Sequence, residues 1–67
     1  MKLSTRNQLT GTVTALIEGP VNASVKIDIG GQTVTSSITD EAVKDLGLKV
    51  GDAVTVLIKS SDVMIGK

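Results

Sequence analysis

The chain of 67 residues contains no cysteine, no histidine and no aromatic residue. Without cysteine it forms no disulfide or thiolate metal site, and without histidine it lacks the commonest metal ligand. A single core in so small a chain rarely supplies more than about 3–5 kcal/mol, and such chains usually add disulfides, a metal or partner subunits. Association with further copies is the remaining source of stability, so the sequence predicts a homo-oligomer.

The same absences narrow the range of partners. Seven basic and seven acidic residues give a net charge of zero, whereas domains that bind nucleic acid usually carry a basic excess. No aromatic side chain is available for stacking on bases. No apolar stretch approaches the roughly 18 residues of a membrane span, and the polar N-terminal segment does not resemble a signal peptide. We therefore expect a cytoplasmic protein with neither nucleic acid nor membrane as a partner.

The composition also offers few side chains suited to catalysis. Most nucleophile–base pairs need histidine or cysteine. Lys59 and Ser60 are adjacent, but neighbouring residues of a strand point to opposite faces. The scattered carboxylates have no spacing typical of a calcium-binding loop. The sequence predicts that the chain is not an enzyme and has neither a cofactor nor a site for a bare metal cation.

Alternation of apolar and polar residues is the dominant pattern. From Val21 to Ile29 every odd position is apolar and the even positions before Ile29 are polar, which predicts a half-buried strand. Upstream, Leu9, Val13, Ala15 and Ile17 alternate with threonines, which favour strands and suit a solvated face. This pattern predicts a first strand with those four apolar residues on one face.

Glycines and a capping residue divide the middle of the chain. Gly19-Pro20 and Gly30-Gly31 predict turns on either side of the second strand. A third strand is predicted at about Gln32 to Ile38. Thr39 is a suitable N-cap for a helix of about two turns, and Gly47 suits the left-handed position that ends it.

Two further strands complete the predicted fold. Ala53 to Lys59 predicts a fourth strand with apolar residues on both faces, which indicates a subunit contact. Val63 to Ile65 predicts a fifth. Five strands with one short helix between strands 3 and 4 is the order of an OB-type barrel. We therefore predict a mainly β, OB-like five-stranded barrel as one domain over residues 1–67, although this fold alone does not give a function.

Hydrogen-bond donors cluster near both chain ends and before the predicted helix. A tetrahedral dianion presents only acceptor oxygens, and it is best bound by hydroxyl groups, backbone N–H groups and one or two cations. Ordinary solvated polar residues explain the same composition, so composition alone leaves both interpretations open. The donor residues are Ser4, Thr5, Arg6, Asn7, Thr39, Lys59, Ser60 and Ser61.

Ordered motifs add a resemblance to a known family. Ser4-Thr5-Arg6-Asn7-Gln8-Leu9-Thr10-Gly11 resembles the Ser-Ala-Arg-Asn-x-Leu-x-Gly opening of the Mop family, the molbindins, which are small cytoplasmic molybdate-binding proteins. Three later regions resemble successive parts of the same family at the right spacings. These are Val21-Asn22-Ala23-Ser24-Val25, Ser36-Ser37-Ile38-Thr39 followed by Leu46-Gly47-Leu48, and Val56-Leu57-Ile58-Lys59-Ser60-Ser61-Asp62-Val63-Met64-Ile65.

The resemblance implies reversible binding of molybdate or tungstate for intracellular storage or homeostasis of molybdenum. It implies subunits paired through exchanged strands, three such dimers in a hexamer, and oxyanion sites in two classes at subunit interfaces. A first class would use Ser4, Thr5, Arg6, Thr39, Lys59 and Ser60. A second class, near a three-fold axis, would use Val21, Asn22 and Ala23.

Two residues depart from the family pattern. Thr5 replaces the usual alanine but keeps the backbone N–H that alanine would offer. Pro20 lies beside the second set and has no N–H to donate, so the second set is expected to be the weaker one. The alternative interpretation is an OB-like interaction module that binds protein partners or oligonucleotide.

Overall fold

The computed structural model describes residues 2–67 as one antiparallel sheet with a short helix. The strands lie side by side in the order β3-β2-β1-β4 and curl into a half-barrel. A single 3-10 turn, Ser60–Asp62, follows the last strand. The elements are β1 (Asn7–Glu18), β2 (Asn22–Asp28), β3 (Thr33–Thr39), α1 (Asp40–Leu46) and β4 (Ala53–Ile58).

The long strand β1 connects the two halves of the sheet. Its first half pairs with β4, from Asn7 opposite Ile58 to Thr12 opposite Ala53. Its second half pairs with β2 and ends with Glu18 opposite Ala23. The two ends of β1 therefore contact different strands and lie at opposite ends of the sheet.

A bulge in β1 corrects one sequence prediction. Val13 pairs with Ile27 and Ala15 pairs with Lys26, which leaves Thr14 as the extra residue. One extra residue exchanges the two faces of a strand, so Leu16 packs against the core while Ile17 is 57% exposed. The prediction that Ala15 and Ile17 share a face with Val13 is therefore wrong.

The core is small and lies on the concave face of the sheet. Val13, Val25 and Ile27 are buried at its centre. Gly11 allows β1 and β2 to approach there, because a Cβ at this position would lie 2.5 Å from Ile27 Cγ2 and 2.6 Å from the carbonyl oxygen of Asp28. Partly buried residues surround the centre, namely Leu16, Ile29, Ile38, Leu48, Val54 and Val56.

Both predicted capping residues of the helix, Thr39 and Gly47, occupy its ends. The Thr39 hydroxyl accepts a hydrogen bond from the Ala42 N–H at 3.1 Å. Gly47 adopts the left-handed conformation with φ of 62° and donates its N–H to the Lys44 carbonyl. Both caps satisfy backbone groups that a helix end leaves without partners, so α1 begins and ends where the capping residues predict.

The predicted fold class is confirmed, but the fifth strand is not. Residues 63–67 form no strand in the described part of the chain, and Met64 and Ile65 are 92% and 89% exposed. The strands β3 and β4 form the two edges of the sheet. Between them the concave face opens as an apolar cleft of about 230 Å³ that reaches Val13 and Val25.

Candidate functional site

The pairing of β1 with β4 brings the two chain ends together. Asn7 lies opposite Ile58, so the residues just before β1 and just after β4 lie at the same end of the sheet. We call this group the basic end and define it as Ser4, Thr5, Arg6, Lys59 and Ser60. Five of the six residues predicted for the first set therefore lie near one another within a single chain.

Two side-chain amides donate hydrogen bonds to backbone carbonyl groups in or beside the basic end. Asn7 Nδ2 donates to the Ile58 carbonyl oxygen at 3.1 Å, and Gln8 Nε2 donates to the Thr5 carbonyl oxygen at 2.9 Å. In the sequence, Asn7 stands out only as one of several possible donors, and Gln8 does not stand out at all. The signal that could have found them is an amide side chain beside a cationic residue at the start of a strand.

The cationic side chains of the basic end are exposed. Arg6 and Lys59 both lie on the surface, while Thr5 is half-buried. Among residues 2–67, none of the side-chain hydrogen bonds involves the Arg6 guanidinium or the Lys59 ammonium. Two cations and adjacent hydroxyl groups can balance and hydrogen-bond a dianion, because oxyanions accept charge-assisted bonds from such donors.

Thr39 lies elsewhere. It pairs with Asn22 at the start of β2, and so lies near the end of β1 rather than its beginning. Its hydroxyl accepts the Ala42 N–H but retains a proton that can be donated to a ligand. One chain therefore does not bring Thr39 to the basic end, and a site using both requires a second copy.

The second predicted set lies near Thr39. Val21 is 68% exposed, Ala23 is buried, and the Val21 carbonyl accepts the Asp40 N–H at 2.8 Å. Glu18 lies opposite Ala23, so acidic residues neighbour the set from two sides. Within residues 2–67, the buried oxygen Oδ1 of Asp40 has no hydrogen-bond partner. These carboxylates oppose the binding of a dianion unless cations from elsewhere offset them.

Two other features are absent from the described residues. Residues 2–67 contain no group of three or more acidic side chains arranged to hold a metal ion. No helix in the same range has the length and apolar character needed to cross a membrane.

The comparison with protein families supplies the decisive observation, because the model of the TOBE domain matches residues 3–65. The chain belongs to the TOBE domain family. A probable molybdenum-pterin-binding protein of Haemophilus influenzae is 51% identical over 67 residues, covering 98% of this chain and 97% of the relative. The predicted resemblance to the molbindins is thus confirmed.

Solved structures agree with this TOBE domain in fold. A molybdate-binding protein from Sporomusa ovata superimposes with a TM-score of 0.96 at 39% identity, and each chain is fully covered. The cytoplasmic molybdate-binding protein ModG, solved with molybdate bound, gives a TM-score of 0.91 at 48% identity. That match covers 96% of this chain and 46% of ModG.

Proposed function

We propose that this TOBE domain chain binds molybdate or tungstate reversibly, without catalysis, at sites formed between copies of the chain. The observation that carries the proposal is the β1–β4 register, which brings Arg6 and Lys59 to one end of the sheet. The names of its relatives support the choice of ligand. We further propose a cytoplasmic role in storing or buffering molybdenum.

The basic end and Thr39 form the principal site in this proposal. Arg6 and Lys59 supply the positive charge, and Ser4, Ser60 and backbone N–H groups supply directional hydrogen bonds. Thr39 comes from a second copy because it lies far along the sheet from the basic end of its own chain. Sulfate is also a tetrahedral dianion, so the size of the assembled cavity would decide between the oxyanions.

The proposed assembly is a hexamer of three dimers whose subunits exchange strands. Its support is the combination of an open cleft between β3 and β4 with an exposed apolar tail, Val63-Met64-Ile65. The tail of a second copy would fill the cleft and complete the barrel with a fifth strand. Oxyanion binding would stabilise such an assembly, because a ligand that binds only the assembled form shifts the equilibrium towards it.

Val21, Asn22 and Ala23 form a second, weaker site in the same proposal. Asn22 would contribute its side-chain amide, and the other two would contribute backbone groups. Glu18 and Asp40 weaken this site electrostatically, and Pro20 removes one N–H donor. The first site should therefore fill before the second as molybdate is added.

Calorimetric titration of the Arg6→Ala, Lys59→Ala double variant with molybdate tests the principal site. Each charge-assisted hydrogen bond contributes about 1.5–3 kcal/mol, and about 1.4 kcal/mol corresponds to tenfold in affinity. The double variant should therefore bind at least about 100-fold more weakly.

Lys49→Ala is the matched control, because Lys49 precedes the opposite end of β4 and its side chain is exposed. Its affinity should equal that of the unaltered protein. Equal affinity in the double variant would show that the basic end is not the site. An unaltered protein that takes up neither molybdate nor tungstate would refute the proposed function as a whole.

A further inference from the structure

We infer that Asn7 and Gln8 are positioning residues whose side-chain amides aim the backbone N–H groups of Lys59 and Arg6 at the bound oxyanion. The inference rests on the proposed oxyanion binding and adds two residues to that site. Neither amide side chain need touch the ligand itself.

Peptide geometry makes the connection. The peptide bonds of the described residues are trans, and in a planar trans peptide the C=O and N–H groups point in opposite directions. The Ile58 carbonyl that accepts the Asn7 amide shares a peptide unit with the Lys59 N–H. Fixing this carbonyl therefore also fixes the direction of the Lys59 N–H.

The same geometry holds in the part of the basic end that precedes β1. Gln8 Nε2 donates to the Thr5 carbonyl, and that carbonyl shares a peptide unit with the Arg6 N–H. A carbonyl oxygen directed at the ligand would repel a dianion. A hydrogen bond that holds this oxygen on the side away from the ligand therefore favours binding in two ways. It removes an unfavourable dipole and presents a favourable one in its place.

The two N–H groups are available for a ligand. Within residues 2–67, neither the Arg6 N–H nor the Lys59 N–H donates to a backbone carbonyl. Elsewhere in the chain the turns and caps use such donors internally, as at Gly19, Gly47 and Asp62. Unpaired N–H donors before β1 and after β4, beside two cations, are the kinds of group that bind an oxyanion.

The environment of each amide sets the size of its effect. Asn7 is half-buried, whereas Gln8 is exposed, and adjacent residues of a strand point to opposite faces. Water competes less for the hydrogen bond of Asn7 than for that of Gln8. Loss of the Asn7 amide should therefore weaken binding more than loss of the Gln8 amide.

Asn7→Leu and Gln8→Met remove the donors while keeping side chains of similar size and no charge. Calorimetric titration with sodium molybdate should give an affinity roughly five- to tenfold weaker for Asn7→Leu and about two- to fivefold weaker for Gln8→Met. Gln32→Met makes the same chemical change in the exposed turn between β2 and β3, and it should leave the affinity unchanged.

Amide NMR spectra separate a positioning role from a general loss of structure. In the unaltered protein, molybdate should shift the N–H signals of both Arg6 and Lys59 downfield. Asn7→Leu should reduce the shift at Lys59 and leave that at Arg6, while Gln8→Met should do the reverse.

Each result decides a different question. If the unaltered protein binds molybdate and both variants bind equally well, with both shifts intact, the inference is wrong while the proposed function stands. If the unaltered protein binds no molybdate, the proposed function itself fails. Should Asn7→Leu not fold, the Arg6 shift and affinity of Gln8→Met decide the matter alone.

Discussion

Gly11 illustrates how a single residue controls the shape of the sheet. Its missing side chain lets β1 approach the Ile27 side chain and the Asp28 carbonyl more closely than any Cβ would allow. The Asp28 carbonyl belongs to β2, which lies between β3 and β1, so its backbone cannot move without these neighbours. The approach is therefore a requirement of the packing rather than of the glycine's own backbone conformation.

Gly11→Ala should lower the free energy of unfolding by about 1–3 kcal/mol, the usual cost of forcing extra volume into a packed region. Urea denaturation followed by circular dichroism measures the change. Gly66→Ala is the control, because a Cβ at Gly66 meets nothing within 4 Å, and it should stay within about 0.5 kcal/mol of the unaltered protein. Equal stability of the two variants would contradict the close approach.

Among the elements, β2 and β1 show what a sequence pattern can and cannot reveal. In β2 the alternation is unbroken, and its odd positions Ala23, Val25 and Ile27 are all buried. In β1 the threonines continue an apparent alternation through Thr14, although the bulge there exchanges the faces. A bulge is a response to the partner strand, so it leaves no periodic mark on the sequence of its own strand.

Helix α1 depends on a residue with two proposed roles. Thr39 caps the helix through its side-chain oxygen and is also proposed as a ligand of the oxyanion. Thr39→Ala should cost about 1 kcal/mol of stability, the typical value of an N-cap, and should weaken molybdate binding as well.

Thr39→Asp separates the two roles of that residue. Aspartate is an equally good N-cap, so thermal unfolding should show stability close to that of the unaltered protein. Its negative charge should nonetheless weaken molybdate binding in a calorimetric titration. Undiminished binding by Thr39→Asp would mean that Thr39 serves the helix alone.

In the single chain as a whole, a large part of the apolar surface remains exposed to solvent. The cleft between β3 and β4 is open, and the tail of Val63, Met64 and Ile65 is exposed. Composition predicts association with further copies, because so small a chain has no cysteine for a disulfide and no histidine as a metal ligand. The fifth strand was predicted from residues that are apolar, but among residues 2–67 they have no strand partner.

The Met64→Asp, Ile65→Asp double variant should dissociate the proposed oligomer, because two charges would have to enter an apolar cleft without partners. Native mass spectrometry at a fixed protein concentration should show mostly monomer. Gly66→Asp adds a charge to the same exposed tail and should leave the oligomer intact. An oligomer of unchanged size in the double variant would show that the tail does not hold the subunits together.

The sequence predicted the residues of the candidate site but not their arrangement in the sheet. The sequence identified Arg6 and Lys59 through local motifs, and the β1–β4 pairing brings them together. Their relation to Thr39 depends on the topology of the sheet, which places Thr39 opposite Asn22 and away from both. Asn7 was predicted only as one of several donors and Gln8 was not predicted at all, because both amides bond to backbone carbonyls, which no residue type marks.

The separation of Thr39 from the basic end has a genetic consequence. If two copies pair symmetrically, each site takes its basic end from one chain and its threonine from the other. A chain defective at Arg6 and Lys59 and a chain defective at Thr39 would then complement each other when co-expressed. Their mixed dimer would carry one wholly intact site and one doubly defective site, whereas each parent dimer would carry two damaged sites.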